Sequence, residues 1–339
     1  MSKLLKNFVG IDISKPYFDA AVIKADDPYH NVHNQFPQSS AGFKKMVTWL
    51  RGQDVLLNNN TLLCMEYTGI YNSGLVNFLV EQKAQLWVEM PLRINKSSGF
   101  ERGSDDKTSA IKIAAYAYRY QDKMQLWRPV DSNVQKIKHL NAQRDRVVKA
   151  ITQLTVPLEE LSACGCHSDA KQLEKLQQTS LKALKKTKEA IEQLIKKTIA
   201  QDATIAKKIK QAKSIKGIGQ VTAVAVLGYT RGFTSFSEGN QLSCYCGVVP
   251  FGKISGTSVR TKPTVSHHAN KKLKKLFHLC ALSAIRYDKE IRAYFERKLA
   301  EGKNKMCVIN AVRNKLVRRL FAVIRDDRLY EENYVRKCA

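Results

Sequence analysis

Residues 8–14, FVGIDIS, constrain the fold more than any other stretch of the chain. The run is apolar enough for a buried strand, yet Asp12 stands inside it with apolar neighbours on both sides. A lone carboxylate in such a strand is costly to desolvate unless it is paired or bound to a cation. Residues 61–69, TLLCMEYTG, raise the same difficulty, because this second apolar strand ends in Glu66. Around these two, FDAAVIKA (18–25) reads as the hairpin neighbour of the first strand. LVNFLVEQKA (75–84) reads as a helix leading into the strand QLWVEMP. The pattern predicts an α/β layout with a mixed sheet.

A third acidic position opens the helix predicted in RGSDDKTSAIKIAAYAYRY, residues 102–120. Asp105 and Asp106 suit a helix start, where aspartate caps exposed N–H groups and favours the positive end of the dipole. Asp12, Glu66 and Asp106, in this order and separated by strand and helix signals, describe a ribonuclease H-like sheet holding divalent cations. Hard oxygen donors converging on one sheet edge are what Mg²⁺ requires. In two-metal phosphoryl transfer such ions stabilise the attacking and the leaving oxygens.

Charge names the partner class. The 339 residues carry 57 Lys and Arg against 30 Asp and Glu, a formal +27, which points to a large polyanion. A hydrophobic content of 44% argues against disorder. No apolar run approaches the roughly 18–20 residues of a membrane span, and MSKLLKNFVGIDIS passes into a strand without a signal-peptide apolar region. A cytoplasmic protein is expected. The eight cysteines lack the C-x-x-C spacing of zinc sites and read as reduced structural thiols.

From about residue 128 the periodicity changes. Val147, Ile151, Leu154, Leu158 and Leu161, then Leu173, Leu176, Leu184, Ile191, Leu194 and Ile195, predict two long coiled-coil helices around the break SACGCHSD. The last third opens with IKGIGQVTAVAVLGY, a helix-hairpin-helix-like element in which Lys216, Gly217 and Gly219 would present backbone N–H groups to a phosphate. A Gly, Ser, Thr and Lys-rich segment with Arg260 and Lys262 follows, then a helix whose first turns carry Lys271, Lys272, Lys274 and Lys275. The C-terminal helix has Val308, Val312, Leu316 and Leu320 on one face, with Arg313, Arg318, Arg319 and Arg325 spread over the rest. Together these basic groups favour nucleic acid. The divisions fall at 1–127, 128–212 and 213–339.

GIDIS with Asp12, EYTGIY with Glu66, Thr68, Gly69 and Tyr71, RGSDDKTSA with Asp106, and GVVPFGKISGTSVR with Ser255 resemble one family over nearly the whole chain. These are the transposases of the insertion sequence 110 family, especially its 1111 subgroup, related to the Piv-type DNA invertases. The resemblance implies an α/β ribonuclease H-like (RuvC-like) DEDD domain, a helical coiled-coil middle and a mainly α C-terminal transposase domain. It implies Mg²⁺ on Asp12, Glu66 and Asp106, and Ser255 as the nucleophile. It also implies a structured guide RNA, donor and target DNA, assembly as a tetramer, and a nucleoid-associated bacterial setting. The family motif has a further aspartate where this chain has Ser109. Three carboxylates leave two Mg²⁺ ions under-neutralised, so the second ion is in question. Asp105 lies one helical turn before Ser109 on nearly the same side, and either caps the helix or partly replaces the missing carboxylate.

Three readings follow. The leading one is a recombinase working through a covalent phosphoserine, since serine is a poor nucleophile until activated by a base or metal. His267 and His268 are expected to contact phosphate or cap the Lys-rich helix. The alternatives are a RuvC-like nuclease in which water attacks, and a degenerate member that only binds nucleic acid.

Overall fold

The computed structural model describes residues 5–97, 105–252, 254–255, 259–260 and 263–332. It resolves into two compact units, Met1–Pro129 and Val130–Ala339.

Apolar runs build the sheet of the first unit. Its strands are β1 (Asn7–Ile13), β2 (Tyr17–Lys24), β3 (Asn31–Pro37), β4 (Thr61–Glu66) and β5 (Gln85–Glu89), in the order β3-β2-β1-β4-β5. The first three pair antiparallel, whereas β4 and β5 run parallel to β1. This mixed arrangement is that of the ribonuclease H-like fold. Alternate residues of β1 point to opposite faces. Val9, Ile11 and Ile13 enter one core with Leu63, Met65 and Leu86, covered by α1 (Ser40–Gly52) and α2 (Ser73–Glu81). Phe8 enters the other with Leu62, Cys64 and Trp87, beneath α3 (Pro91–Ser97) and α4 (Asp106–Arg119). With both faces buried, β1 has no solvent side, which is why it reads as a continuous apolar run.

The second unit is mostly helical. α5 (Ser132–Ala163) and α6 (His167–Ala200) form an antiparallel hairpin, turned at Gly165 with φ +87° and tied by Arg144 Nε to Glu192 Oε1 at 2.7 Å. The positive φ explains the glycine. α7 (Ala203–Lys213) and α8 (Gln220–Tyr229) flank the 214–219 turn, and α8 is buried over nearly its whole length. After α9 (Gly239–Tyr245) come four two-residue strands: β6 (Pro250–Phe251), β7 (Ile254–Ser255), β8 (Val259–Arg260) and β9 (Thr264–Val265). β6 pairs with β9 and β7 with β8, both antiparallel. α10 (Lys271–Tyr287), α11 (Lys289–Ala300) and α12 (Lys305–Arg325) complete the unit, Phe277, Leu316 and Leu320 packing with the apolar side of α8. No helix among the described residues is long and apolar enough to cross a membrane.

Candidate active site

Two strand ends and one helix start meet on a single sheet face. Ile11 pairs with Met65 in the parallel register of β1 and β4, so the next residues, Asp12 and Glu66, stand level on neighbouring strands, about 4.8 Å apart along the sheet. Both point away from Ile11 and Met65, toward the side covered by α4. Gly10 shares that face with Asp12. A Cβ built on Gly10 would stand 2.1 Å from the Ala110 carbonyl oxygen and 2.2 Å from the Ala114 nitrogen. The helix backbone therefore rests directly on the strand backbone. Asp106 lies one turn before Ala110, which seats it beside Asp12.

The electrostatics register this convergence. Burial pushes the Asp12 carboxyl above its ordinary value of 3.8, helped by the negative charges of Asp106 and Asp19. Burial and the charge of Asp12 raise Glu66 above 4.5. No lysine or arginine among the described residues offsets either shift. The neighbouring Asp106 carboxylate, with a smaller contribution from Asp19, pushes the Tyr17 phenol above its ordinary value. Asp19 is the register partner of Asp12 on β2; its carboxylate accepts from Gln35 Nε2 at 3.1 Å and lies 2.7 Å from His33 Nε2. As the side chains stand, no three His, Cys, Asp or Glu groups among the described residues are gathered tightly enough to hold a metal ion. Proximity sufficient for electrostatic repulsion is present between Asp12 and Asp106 and between Glu66 and Asp12, without a gathered ligand set. The donor set, three part-buried carboxylates of which Asp12 and Glu66 have no offsetting lysine or arginine among the described residues, suits a hard divalent cation.

Sequence reasoning did not find what supports Glu66. The chain leaves β4 through Tyr67, whose N–H donates to the Glu89 carbonyl at 2.9 Å. Asn72, only 3% exposed, then closes the loop. Its Oδ1 accepts from the Thr68 N–H at 2.6 Å and the Thr68 hydroxyl at 2.8 Å, and its Nδ2 donates to the Glu66 carbonyl at 2.7 Å. Its place directly after the motif EYTGIY was the available signal. Asn72→Ala leaves buried groups unpaired and is expected to cost about 2–3 kcal/mol in denaturant unfolding.

Asp105 is the N-cap of α4. Its carboxylate accepts from the Thr108 N–H at 2.7 Å, while the Thr108 hydroxyl receives the Asp105 N–H at 2.9 Å, a capping box. These hydrogen bonds to Thr108 hold the Asp105 carboxyl below its usual range. Ser109 is half-buried on the first full turn.

The basic residues divide by availability. Lys271 and Lys275 are exposed and Lys274 half-exposed on the first turns of α10. Lys272 is instead held by Asp145 and lies 5.8 Å from the Tyr229 ring centre. Lys216 pairs with Glu332. Gly217 has φ +95°, and a Cβ there would meet the Cys280 carbonyl oxygen at 2.7 Å, so the turn is pressed onto α10. Gly219 is the N-cap of α8 and offers no side chain to its first N–H groups. Two arginines depart from the expected solvent-facing set. Arg313 is 7% exposed with its Nη2 against His278 Nδ1, and Arg319 bonds Asp288 at 2.9 Å and Glu290 at 2.6 Å. At about 100° per residue Arg319 falls near Val308 and Arg313 just past Leu320, inside the apolar stripe. Arg318 donates to Asn240 at 2.8 Å from an exposed position. Asn270, not His267 or His268, caps α10. Ser255 ends β7 and Arg260 ends β8, paired across to Val259 and Ile254. Lys262 lies outside the described residues.

A ribonuclease H-like sheet with acidic residues grouped at one edge, on a chain of formal charge +27, defines a protein that acts on nucleic acid. Comparison with known families makes this specific. A DEDD transposase model of the IS110 type matches residues 9–163, and the Transposase IS116/IS110/IS902 family model matches residues 209–296. The chain belongs to the IS110 family of transposases, whose substrate is DNA. Among its relatives, the pilin gene-inverting protein of Moraxella bovis is 26% identical over 333 residues, covering 96% of this chain and 98% of that protein. The uncharacterized 43.6 kDa protein of insertion element IS110 from Streptomyces coelicolor is 31% identical over 118 residues, 35% of this chain and 29% of that protein.

Proposed function

We propose that this transposase cuts and rejoins DNA through a covalent phosphoserine, with Mg²⁺ held by Asp12, Glu66 and Asp106 and attack by Ser255. The observation that carries this reading is the convergence of the three part-buried carboxylates, Asp106 acting on Asp12 and Asp12 on Glu66, with no lysine or arginine among the described residues offsetting the charge at Asp12 or Glu66. Bound there, Mg²⁺ supplies charge stabilisation to the phosphate under attack. Glu66 is held in place from behind by Asn72, and the Tyr17 phenol stands beside Asp106. Ser255 Oγ forms a bond to phosphorus as the P–O bond to the leaving strand breaks, and that strand's oxygen takes up a proton. The ester retains the phosphodiester energy, so the incoming strand's hydroxyl can reverse the step without a high-energy cofactor. The full-length likeness to a protein named for gene inversion supports exchange of strands over simple cutting.

The divisions 1–127, 128–212 and 213–339 then serve as metal-binding, coiled-coil and transposase domains. A structured guide RNA fits the charge excess, which exceeds what solubility requires. Lys271, Lys274, Lys275 and the Lys216–Gly219 turn serve as phosphate contacts, and a tetramer brings donor and target DNA together. Ser255→Ala tests the nucleophile: the variant is expected to lose the protein–DNA adduct seen on a denaturing gel and all strand exchange, while unfolding at the wild-type midpoint. Wild-type exchange by that variant sinks the serine mechanism in favour of attack by water.

A further inference from the structure

The sheet face that carries Asp12 and Glu66 continues to β5, where Glu89 stands in register with Glu66. Beside it, between α3 and the end of α4, lies a cavity of about 370 Å³ lined by Glu89, Arg93, Lys96, Tyr116, Tyr120 and Lys123. That size falls within the usual range for small-molecule sites, roughly 300–1,000 Å³.

Each part of the lining restricts the ligand. The floor is aromatic, with the Trp87 and Tyr116 ring centres 5.1 Å apart and those of Tyr116 and Tyr120 5.0 Å apart. The rim is cationic: Arg93, Lys96 and Lys123 are exposed, and the Lys123 ammonium lies 5.2 Å from the Tyr120 ring centre. An exposed cation–ring contact of that kind is weak enough for a stacking group to displace. The single buried charge is Glu89, 4% exposed. Its Oε1 accepts from the Met90 N–H at 2.7 Å, while among the described residues Oε2 receives two long bonds, from Tyr116 Oη and Arg93 Nη1, each at 3.3 Å. A carboxylate accepts at up to about four positions, so acceptor capacity remains at Oε2.

Three cations exclude a metal ion, and the charged rim excludes a purely apolar ligand. A flat, anionic molecule that carries a hydrogen-bond donor satisfies all three parts. We infer that the cavity is a subsite for one unstacked nucleotide of a nucleic-acid strand. Its base lies against Tyr120 and offers an exocyclic amino group to Glu89, and its phosphate lies among Arg93, Lys96 and Lys123. Bases with an exocyclic amino group are favoured over thymine and uracil, whose one donor on that edge, N3–H, is flanked by two carbonyl oxygens that a carboxylate repels. The inference rests on the reading that the neighbouring carboxylates act on such a strand: one strand spacing from Glu66, the bound nucleotide flanks the phosphate being exchanged.

Short labelled oligomers of deoxycytidine, thymidine, cytidine and uridine, titrated against the full chain without divalent ions, test it by fluorescence anisotropy. The cytosine oligomers are expected to bind about tenfold more tightly than thymine or uracil oligomers. Tyr120→Ala should weaken cytosine binding about tenfold, with Tyr120→Phe restoring it, and Glu89→Gln should even out the base preference. Preference between the deoxy and ribo series identifies the strand as DNA or RNA. Equal affinity for cytosine and uracil oligomers, or a folded Tyr120→Ala that binds as wild type, overturns the subsite. Cytosine-selective binding by a protein that cuts no DNA with Mg²⁺ present overturns the catalytic reading and leaves the subsite standing.

Discussion

Asp12→Asn is expected to reduce strand cutting by about a thousandfold while raising the stability of the protein in the absence of divalent ions. The two effects share one cause. The Asp12 carboxyl is raised above 3.8 by burial and by the charges of Asp106 and Asp19, so the folded protein favours its neutral form. A group whose folded value exceeds its unfolded value stabilises the fold when protonated. That contribution is full below about 3.8 and is lost as pH rises through the folded value. At neutral pH the ionised carboxylate therefore works against folding. Asparagine removes that repulsion at every pH, and with it the charge a cation needs. In chelator, the melting midpoint of Asp12→Asn relative to wild type should rise as pH increases through the carboxylate range, since only wild type carries the destabilising ionised Asp12. Added Mg²⁺ should raise the wild-type midpoint and leave that of the variant nearly unmoved. A variant less stable than wild type in chelator would count against the site as described.

Gly10→Ala should be among the most damaging single-methyl changes in the first unit, alongside Gly42→Ala, whose new Cβ would stand 1.9 Å from the Pro37 carbonyl oxygen. At Gly10 the new Cβ meets backbone, the Ala110 oxygen at 2.1 Å and the Ala114 nitrogen at 2.2 Å, and backbone cannot rotate aside as a side chain can. Overpacking of well-filled interiors typically costs 1–3 kcal/mol, and contacts this short place the change at about 3 kcal/mol or beyond. The alternative to unfolding is displacement of α4, which carries Asp106 away from Asp12. Urea unfolding measures the first outcome, and Mg²⁺ titration of the folded fraction the second. Gly52→Ala is the control: a Cβ there meets nothing within 4 Å, and the unfolding midpoint should stay or rise slightly. Equal stability of the two variants would contradict the close packing of α4 on β1.

The contrast between these glycines shows what was legible in sequence. Asp12 and Glu66 announced themselves because an ionisable group inside an apolar run violates a local pattern, and β1, β2, β4 and β5 follow such runs. β3, NVHNQFP, carries no such run: as an edge strand only Phe36 is buried in it, and its polar residues give no alternation. Gly10 is invisible for a different reason. Nothing within FVGIDIS reveals that a helix a hundred residues later lies against it. Asn72 likewise bonds backwards, to groups four and six residues earlier, and only the folded loop shows that its amide is buried. Arg313 was misplaced through charge. Its angular position on α12 lies within the apolar stripe, but an arginine is ordinarily assigned to solvent, and its burial against His278 depends on α10.

The α5–α6 hairpin has a consequence as a ruler. Its helices run 32 and 34 residues, so at about 1.5 Å per residue the turn at Gly165 stands roughly 50 Å from the far ends of the two arms. That equals the length of about fifteen base pairs at 3.4 Å each. A contact made at the tip acts on the base through a lever of that length. The distance is set by a count of residues, so inserting or deleting whole helical turns in both arms would reset it in steps of about 5.4 Å.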